Sequence, residues 1–388
     1  MSNPIILPRI MQIGEGASAD IANVLTSLGC SKPLIVTDKV MVELGYIDSM
    51  LVHLQHSGIA SEVYDQTIPE PTNASIQGGV ELIRQGCFDS IIAIGGGSPI
   101  DSAKAISILG TQGGEMREYK VPRIVDEQGL PVIAIPTTAG TGSEATRVTV
   151  ITDETTDEKM LCMGNGFMPV ATLLDFNLTL SVPARVTADT GIDALTHAIE
   201  AYVSRKANQY SDVQALTAMK LIASSLRTVY HQGCDKQARE AMMLGSHLAG
   251  VAFSNASVAL VHGMSRPLGA AFHVPHGLSN AMLLPAVTKF SIPAAPKRYA
   301  DCARAMAIAG DSDSDDVANE KLIIELRSLN SELQVPTPQQ FGIERDKFFQ
   351  LMPLMAEQAL ASGSPNNNPV IPTQAQMVDI YQSLWQSA

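Results

Sequence analysis

Up to about residue 180, short apolar runs rich in β-branched residues alternate with longer stretches of helical periodicity. The runs are Leu34 to Thr37, Glu62 to Tyr64, Ile91 to Ile94, Val132 to Ile135 and Ala171 to Leu174. Runs this short suit strands, and strands alternating with helices predict an α/β parallel sheet. Past SVPARVTADTG the β-branched alternation stops. In SDVQALTAMKLIASSLRTVYH, DKQAREAMMLGSHLAGVAF and RYADCARAMAIAG, Ala, Met and Leu recur at helical spacing, which predicts an all-helical second domain. The boundary is expected near Pro183, dividing the chain into 1–183 and 184–388. The methionines read as core filler at helical positions. DSDSDD near residue 311 and SPNNNP near 364 read as a solvated loop and a turn-rich connection, and neither is assigned chemistry.

Two glycine loops interrupt the first pattern. In SIIAIGGGSPIDSAKAIS the strand ends at Gly95, Gly96 and Gly97, and Ser98, Pro99 and Asp101 open a helix. A strand, a glycine turn and a helix N-terminus present free N–H groups and the positive end of the helix dipole, which is an anion site suited to a pyrophosphate. The triplet does not follow G-x-G-x-x-G strictly and comes after earlier strands, so alone it is a weak sign. PTTAGTGSE follows the next strand, with the hydroxyls of Thr137, Thr138, Thr141 and Ser143 around Gly140 and Gly142. A flexible loop is the plain alternative. Two such loops after consecutive strands point instead to a dinucleotide crevice at the carboxyl edge of a parallel sheet.

The helical half carries a second kind of chemistry. Asp193 and His197 lie four apart in a stretch without proline, so both leave one face of one helix. His262 and His276 are fourteen apart with Pro267 and Pro275 between them, which assigns one to a helix and the other to the start of the next. Taken singly, the Asp–His pair could be an exposed pair and the histidines satisfied core residues. Together, three of the chain's eight histidines and one carboxylate form an N/O donor set suited to Fe(II) or Zn(II), not to an oxygen cage for Mg or Ca.

Composition narrows the partners. At 388 residues, 45% hydrophobic and 17% charged, the chain can build two cores. A net charge of -13 disfavours nucleic acid and anionic membranes. No stretch approaches the roughly twenty apolar residues of a membrane span. The five cysteines, Cys30, Cys87, Cys162, Cys234 and Cys302, form no C-x-x-C pair, which fits a reducing cytoplasm.

PLIVTDK, AIGGGSPID, IPTTAGTGSE, TADTGIDALTHAIEAY, AFSN, VHGM and PHGLSNAMLLP, in this order and over nearly the whole length, resemble the iron-containing (group III) alcohol dehydrogenases. Within that family the resemblance is to the lactaldehyde reductase and 1,3-propanediol dehydrogenase type. It implies a metal held by Asp193, His197, His262 and His276, and NAD held by the GGGSP and TTAGT loops. It also implies Asp38 near the adenosine ribose, Lys159 near the cofactor, and a homodimer. A capping role is the alternative for Asp38. The expected activity is hydride transfer between a short-chain alcohol or aldehyde and NAD at a divalent ion, with the nucleotide on the sheet domain and the metal on the helical one.

Two positions depart from the pattern. HGMSRPLG stands where many members read HGMAHPLG, so Arg266 leaves no histidine there for a direct proton relay; PEPT replaces PNPT, which puts Glu70 near the cofactor and bears on dinucleotide selectivity. Arg266 is read either as a structural ion pair or as the receiver of a carboxylate, sulfonate or phosphonate on a small acidic aldehyde. A dehydroquinate synthase-like lyase shares the general architecture. It would need a cluster of Lys and Arg, whereas PHGLSNAMLLP is mostly apolar.

Overall fold

The structure, a computed structural model, describes residues 4–156 and 158–386. Contacts divide the chain into two compact units, one over Ile6–Ser181 and one from Val182 onward.

The first unit contains strands β1 (Ile10–Ile13), β2 (Pro33–Val36), β3 (Glu62–Tyr64), β4 (Ser90–Gly95), β5 (Val132–Pro136), β6 (Val148–Asp153), β7 (Glu158–Met163) and β8 (Ala171–Leu174). Helices α1 (Ile21–Leu28), α2 (Lys39–Glu43), α3 (Tyr46–His56), α4 (Asn73–Gln85) and α5 (Gly97–Gln112) lie between them. Six strands form a parallel sheet in the order β1-β8-β5-β4-β2-β3. From β2 the chain moves outward to β3, returns to β4, and then builds the other way through β5 and β8. This reversal sets the carboxyl ends of β2 and β4 side by side, the topological switch point at which open α/β sheets bind ligands.

Successive side chains on a strand point to opposite faces, and the core divides accordingly. Leu34, Val36, Ile91 and Ala93 join one cluster with Ile76, Val80 and Ile106 from α4 and α5. Ile35, Ile92 and Ile94 join another with Ile21, Leu25, Met50 and Leu54 from α1 and α3. Each fully buried Ile or Leu contributes on the order of 1.5–3 kcal/mol. β6 and β7 form a separate antiparallel ribbon that the sequence reading did not anticipate, nor did it anticipate edge strand β1.

The second unit is built from α6 (Ala184–Val203), α7 (Gln209–His231), α8 (Lys236–Asn255), α9 (Leu260–Phe272), α10 (His276–Ser291), α11 (Pro296–Ala305), α12 (Asp315–Glu332), α13 (Arg345–Ala361) and α14 (Gln374–Gln386). Pro183 caps α6, and every residue of α6 from Gly191 to Val203 is buried. A helix enclosed all round is a central core helix, and any charge on it must find its partner inside the protein. Among the described residues no single helix is long and apolar enough to cross a membrane.

Candidate active site

Asp193, His197 and Glu200 occupy successive turns on one face of the enclosed part of α6 and are 2%, 4% and 3% exposed. Their partners come from two other helices. His262 lies in the first turn of α9, and His276 opens α10 directly after Pro275. Pro275 keeps the preceding segment extended and sets where α10 begins. The Asp193 Oδ1 lies 3.5 Å from His262 Nε2, 3.7 Å from His276 Nε2 and 3.9 Å from His197 Nε2. Metal–ligand bonds of about 2.0–2.2 Å in a tetrahedral site put donors roughly 3.4 Å apart. The donor atoms of Asp193, His262 and His276 lie within 4.8 Å of one another and could hold one small cation, with His197 beside Asp193 as the fourth candidate.

Asn280, one turn after His276, aims its amide nitrogen into the same space. Nδ2 is 2.6 Å from Asp193 Oδ1, 3.1 Å from His262 Nε2 and 3.2 Å from His276 Nε2. Two amide hydrogens thus face three acceptors, while the amide oxygen is buried with no hydrogen-bond partner among the described residues. A space walled by acceptors suits a cation better than a neutral group. The side chains of Asp193, His197 and His262 are 2%, 5% and 3% exposed, but that of His276 is 43% exposed. The donor set is sealed on three sides and open at His276, as in metal sites that keep a position for substrate.

The electrostatics agree. Burial works against charge on Asp193, yet His197, His276 and His262 hold its carboxyl well below the usual range. Burial also opposes charge on His262, but Glu200 and Asp193 override it and the imidazole is pushed up to about 9. His262 Nε2 is therefore a strong seat for a cation, and metal competes there with a proton.

In the sheet unit, α5 starts at Gly97 with Gly96 as its cap, so the N–H groups of Gly97 and Ser98 are free of helical partners and Pro99 contributes none. Gly95 has φ 147, and a Cβ there would meet Pro99 Cγ at 2.5 Å. A Cβ on Gly97 would meet Thr141 Cγ2 at 2.9 Å, which packs the two glycine loops closely. Thr138 and Thr141 are part-exposed, whereas Thr137 is buried and its N–H donates to the Gly95 carbonyl.

Asp101 and Ser143 are engaged with each other: the Ser143 hydroxyl donates to Asp101 Oδ1 at 2.5 Å, and the Val150 N–H donates to Oδ2 at 2.9 Å. These bonds tie the start of α5 to the loop after β5, and both side chains have partners within the protein. Asp38 caps α2 by accepting the Met41 N–H at 3.0 Å. Lys159 pairs with Glu70 at 2.6 Å, and Glu70 adopts a left-handed φ of 53 that asparagine tolerates more readily. The PEPT variation is thus compensated by an ion pair to β7.

Arg266 lies one turn beyond His262 on α9 and donates to the Ser364 hydroxyl at 3.0 Å, in a 3₁₀ turn over Ser364–Asn367. Lost hydration lowers its pKa, opposed by Glu200, and its charge is felt at His276. The SPNNNP segment, read as a mere connection, therefore holds Arg266. It also reaches the residues before α9 through Asn367, which donates to Ser257 Oγ at 2.9 Å and to the Val258 carbonyl at 3.1 Å.

Comparison with known proteins shows the family of the chain. Residues 8–176 match the family described as iron-containing alcohol dehydrogenase, and residues 187–385 match the C-terminal part of the Fe-containing alcohol dehydrogenase family. The chain belongs to the iron-containing alcohol dehydrogenases. It is 34% identical to lactaldehyde reductase of Escherichia coli K12, covering 99% of this chain and 100% of that protein. A crystal structure of 1,3-propanediol oxidoreductase superposes with a TM-score of 0.95 at 34% identity, covering 99% of this chain and 100% of the other. Sulfoacetaldehyde reductase from Bifidobacterium kashiwanohense, solved in complex with NAD+, gives a TM-score of 0.89 at 26% identity over 99% of each chain.

As an iron-containing alcohol dehydrogenase the chain is an oxidoreductase of alcohols and aldehydes, on an α/β unit and a helical unit. The sequence reading missed Glu200 and Asn280. Both carried a signal, since Glu200 continues the 193/197 face and Asn280 follows His276 by four residues.

Proposed function

We propose that this iron-containing alcohol dehydrogenase interconverts a short-chain alcohol and its aldehyde, with NAD as hydride partner and Asp193, His197, His262 and His276 as the donors for Fe(II) or Zn(II). The observation that carries the reading is the convergence of three imidazole nitrogens within 3.9 Å of one carboxylate oxygen, with a single open side at His276. When bound, the ion supplies a Lewis acid for the alcohol or carbonyl oxygen, and the nicotinamide accepts or returns the hydride. Gly97 and Ser98 offer N–H groups to the pyrophosphate, Thr138 and Thr141 offer hydroxyls, and Asp38 addresses the ribose. Asp101, Ser143 and Thr137 hold those loops in shape, and Lys159 acts on the cofactor through its pair with Glu70. Arg266 keeps its proton at any working pH, so it cannot act as the base for the alcohol proton. Five free cysteines, two of them exposed, support a reducing cytoplasm, and the family resemblance supports a homodimer.

A second reading concerns the substrate. Arg266 has a neutral hydroxyl as its hydrogen-bond partner, and no carboxylate lies within ion-pair distance of it among the described residues. This favours a small aldehyde bearing a carboxylate, sulfonate or phosphonate over the structural ion pair. The test of the main reading is the absorbance change at the nicotinamide band over a panel of alcohols and aldehydes. NAD(H) and NADP(H) are compared on protein loaded with Fe(II) or Zn(II). No change with any pair would overturn it.

A further inference from the structure

Glu200 is enclosed in the core, and its carboxylate is fully committed. Oε2 lies 2.6 Å from His262 Nδ1 and accepts the Ala259 N–H at 2.9 Å, while Oε1 accepts the Val261 N–H at 2.6 Å. Ala259 and Val261 belong to the start of α9, where backbone N–H groups have no helical partner. An acidic side chain at that end also complements the helix dipole. One carboxylate thus fixes both the backbone that carries His262 and the ring itself.

The ring's two nitrogens can be assigned from their partners. A carboxylate only accepts, so Nδ1 carries the hydrogen. The nitrogen of Asn280 faces Nε2 at 3.1 Å, and its identity is set by the 2.6 Å contact to the Asp193 carboxylate, where the amide oxygen would be repelled. An amide nitrogen only donates, so in the neutral ring Asn280 faces the Nε2 lone pair, while the Asp193 carboxylate 3.5 Å away draws a proton to the same atom until a cation takes its place. Glu200 and Asn280 thus favour the same neutral tautomer, the one a metal requires.

We propose that Glu200 is a positioning residue of the metal centre, holding His262 in the Nδ1–H tautomer and α9 at the height that brings Nε2 to Asp193. One helix then supplies two donors, Asp193 and His197, and the group that orients a third. The proposal rests on the reading of Asp193, His197, His262 and His276 as metal donors.

The experiment measures Zn(II) affinity by chelator competition on the full-length protein as wild type, Glu200→Gln and His262→Ala, with thermal unfolding and NADH binding as controls for folding. Glu200→Gln must turn an amide N–H toward either His262 or the α9 backbone. Affinity is expected to fall by about 10- to 100-fold while NADH binding is kept, because this is the usual effect of losing a partner that orients a metal ligand. If His262→Ala loses zinc but Glu200→Gln binds it as wild type does, the inference is overturned; if His262→Ala also binds normally, the donor assignment fails instead. Should Glu200→Gln not fold, ¹⁵N shifts of the histidine rings in the zinc-loaded wild type decide. A protonated Nδ1 on His262 supports the proposal, and a protonated Nε2 refutes it.

Discussion

The ammonium nitrogen of Lys104 lies 2.7 Å from the carbonyl oxygen of Ser143, deep inside the sheet unit. It also meets the Val148 carbonyl at 2.7 Å, the Thr146 carbonyl at 3.0 Å, and the hydroxyls of Ser143 and Thr146 at 3.1 and 3.2 Å. Burial pulls its pKa down to about 8, against the pull of Asp101 and Glu144. A single enclosed cation thus gathers two carbonyls of the loop after β5 and that of Val148 at the start of β6. Through Ser143 it is also tied to Asp101 on its own helix.

Lys104→Met would leave those carbonyls unpaired and Asp101 without its counter-charge. The expected loss of stability is about 3–5 kcal/mol, the range for breaking a buried charge arrangement, and it is read from urea unfolding. The folded pKa lies below the unfolded value of 10.5, so between the two the unfolded chain holds more protons and this residue's contribution grows with pH. The gap between wild type and variant should therefore widen from about pH 8 to about pH 10. A constant gap would show that Lys104 does not titrate there.

The parallel sheet was legible because its strands are continuous apolar runs closed by turn residues, which helices cannot mimic at that length. The β6–β7 ribbon was not, since VTVITD is only half-buried and is followed by the acidic turn ETTDEK, which reads as loop. The grouping of Asp193, His262 and His276 was legible from spacing and from the scarcity of histidine. Glu200 was not read, because what makes it more than a helix glutamate is the start of α9, brought to it some sixty residues later in the chain. The partners of Asp101 were not legible either, because Ser143 and Val150 reach its carboxylate only through the fold.

Removing a donor tests the centre directly. Asp193→Ala or His262→Ala should lose metal through gel filtration and lower kcat by more than about 100-fold, since loss of a mere orienting partner already costs 10–100-fold. NADH binding, followed by fluorescence, should persist. Full metal content with unchanged kcat in either variant would remove that residue from the donor set.

Asp38 stands at the carboxyl end of β2, beside the glycine loop that follows β4. Its Oδ1 caps α2, and a ribose is proposed as the second claim on the same carboxylate. If so, the extra phosphate of NADP is repelled there. Asp38→Gly should lower the NAD to NADP ratio of kcat/KM about tenfold, equivalent to roughly 1.4 kcal/mol. An unchanged ratio would leave only the cap, whose loss to glycine costs a few tenths of a kcal/mol.

Arg266 alters the charge of the site in a way that bears on substrate. With Asp193 and Glu200 each contributing one negative charge, a divalent ion would leave the centre neutral, and the guanidinium makes it positive by one. Glu200 favours the guanidinium charge from a distance but makes no ion pair with it, its carboxylate serving His262 and two backbone N–H groups. Nor does Ser364 neutralise it. An anionic group on the substrate would, and a charge-assisted bond of about 1.5–3 kcal/mol corresponds to roughly 10- to 100-fold in kcat/KM. Wild type should therefore favour short aldehydes bearing a carboxylate or sulfonate over lactaldehyde-sized neutral ones. Arg266→His should erase that preference mainly by weakening the acidic substrates. Equal losses for both classes would mean that Arg266 serves the site through its packing against the Ser364 turn, and a wild-type preference for neutral substrates would discard the anionic reading.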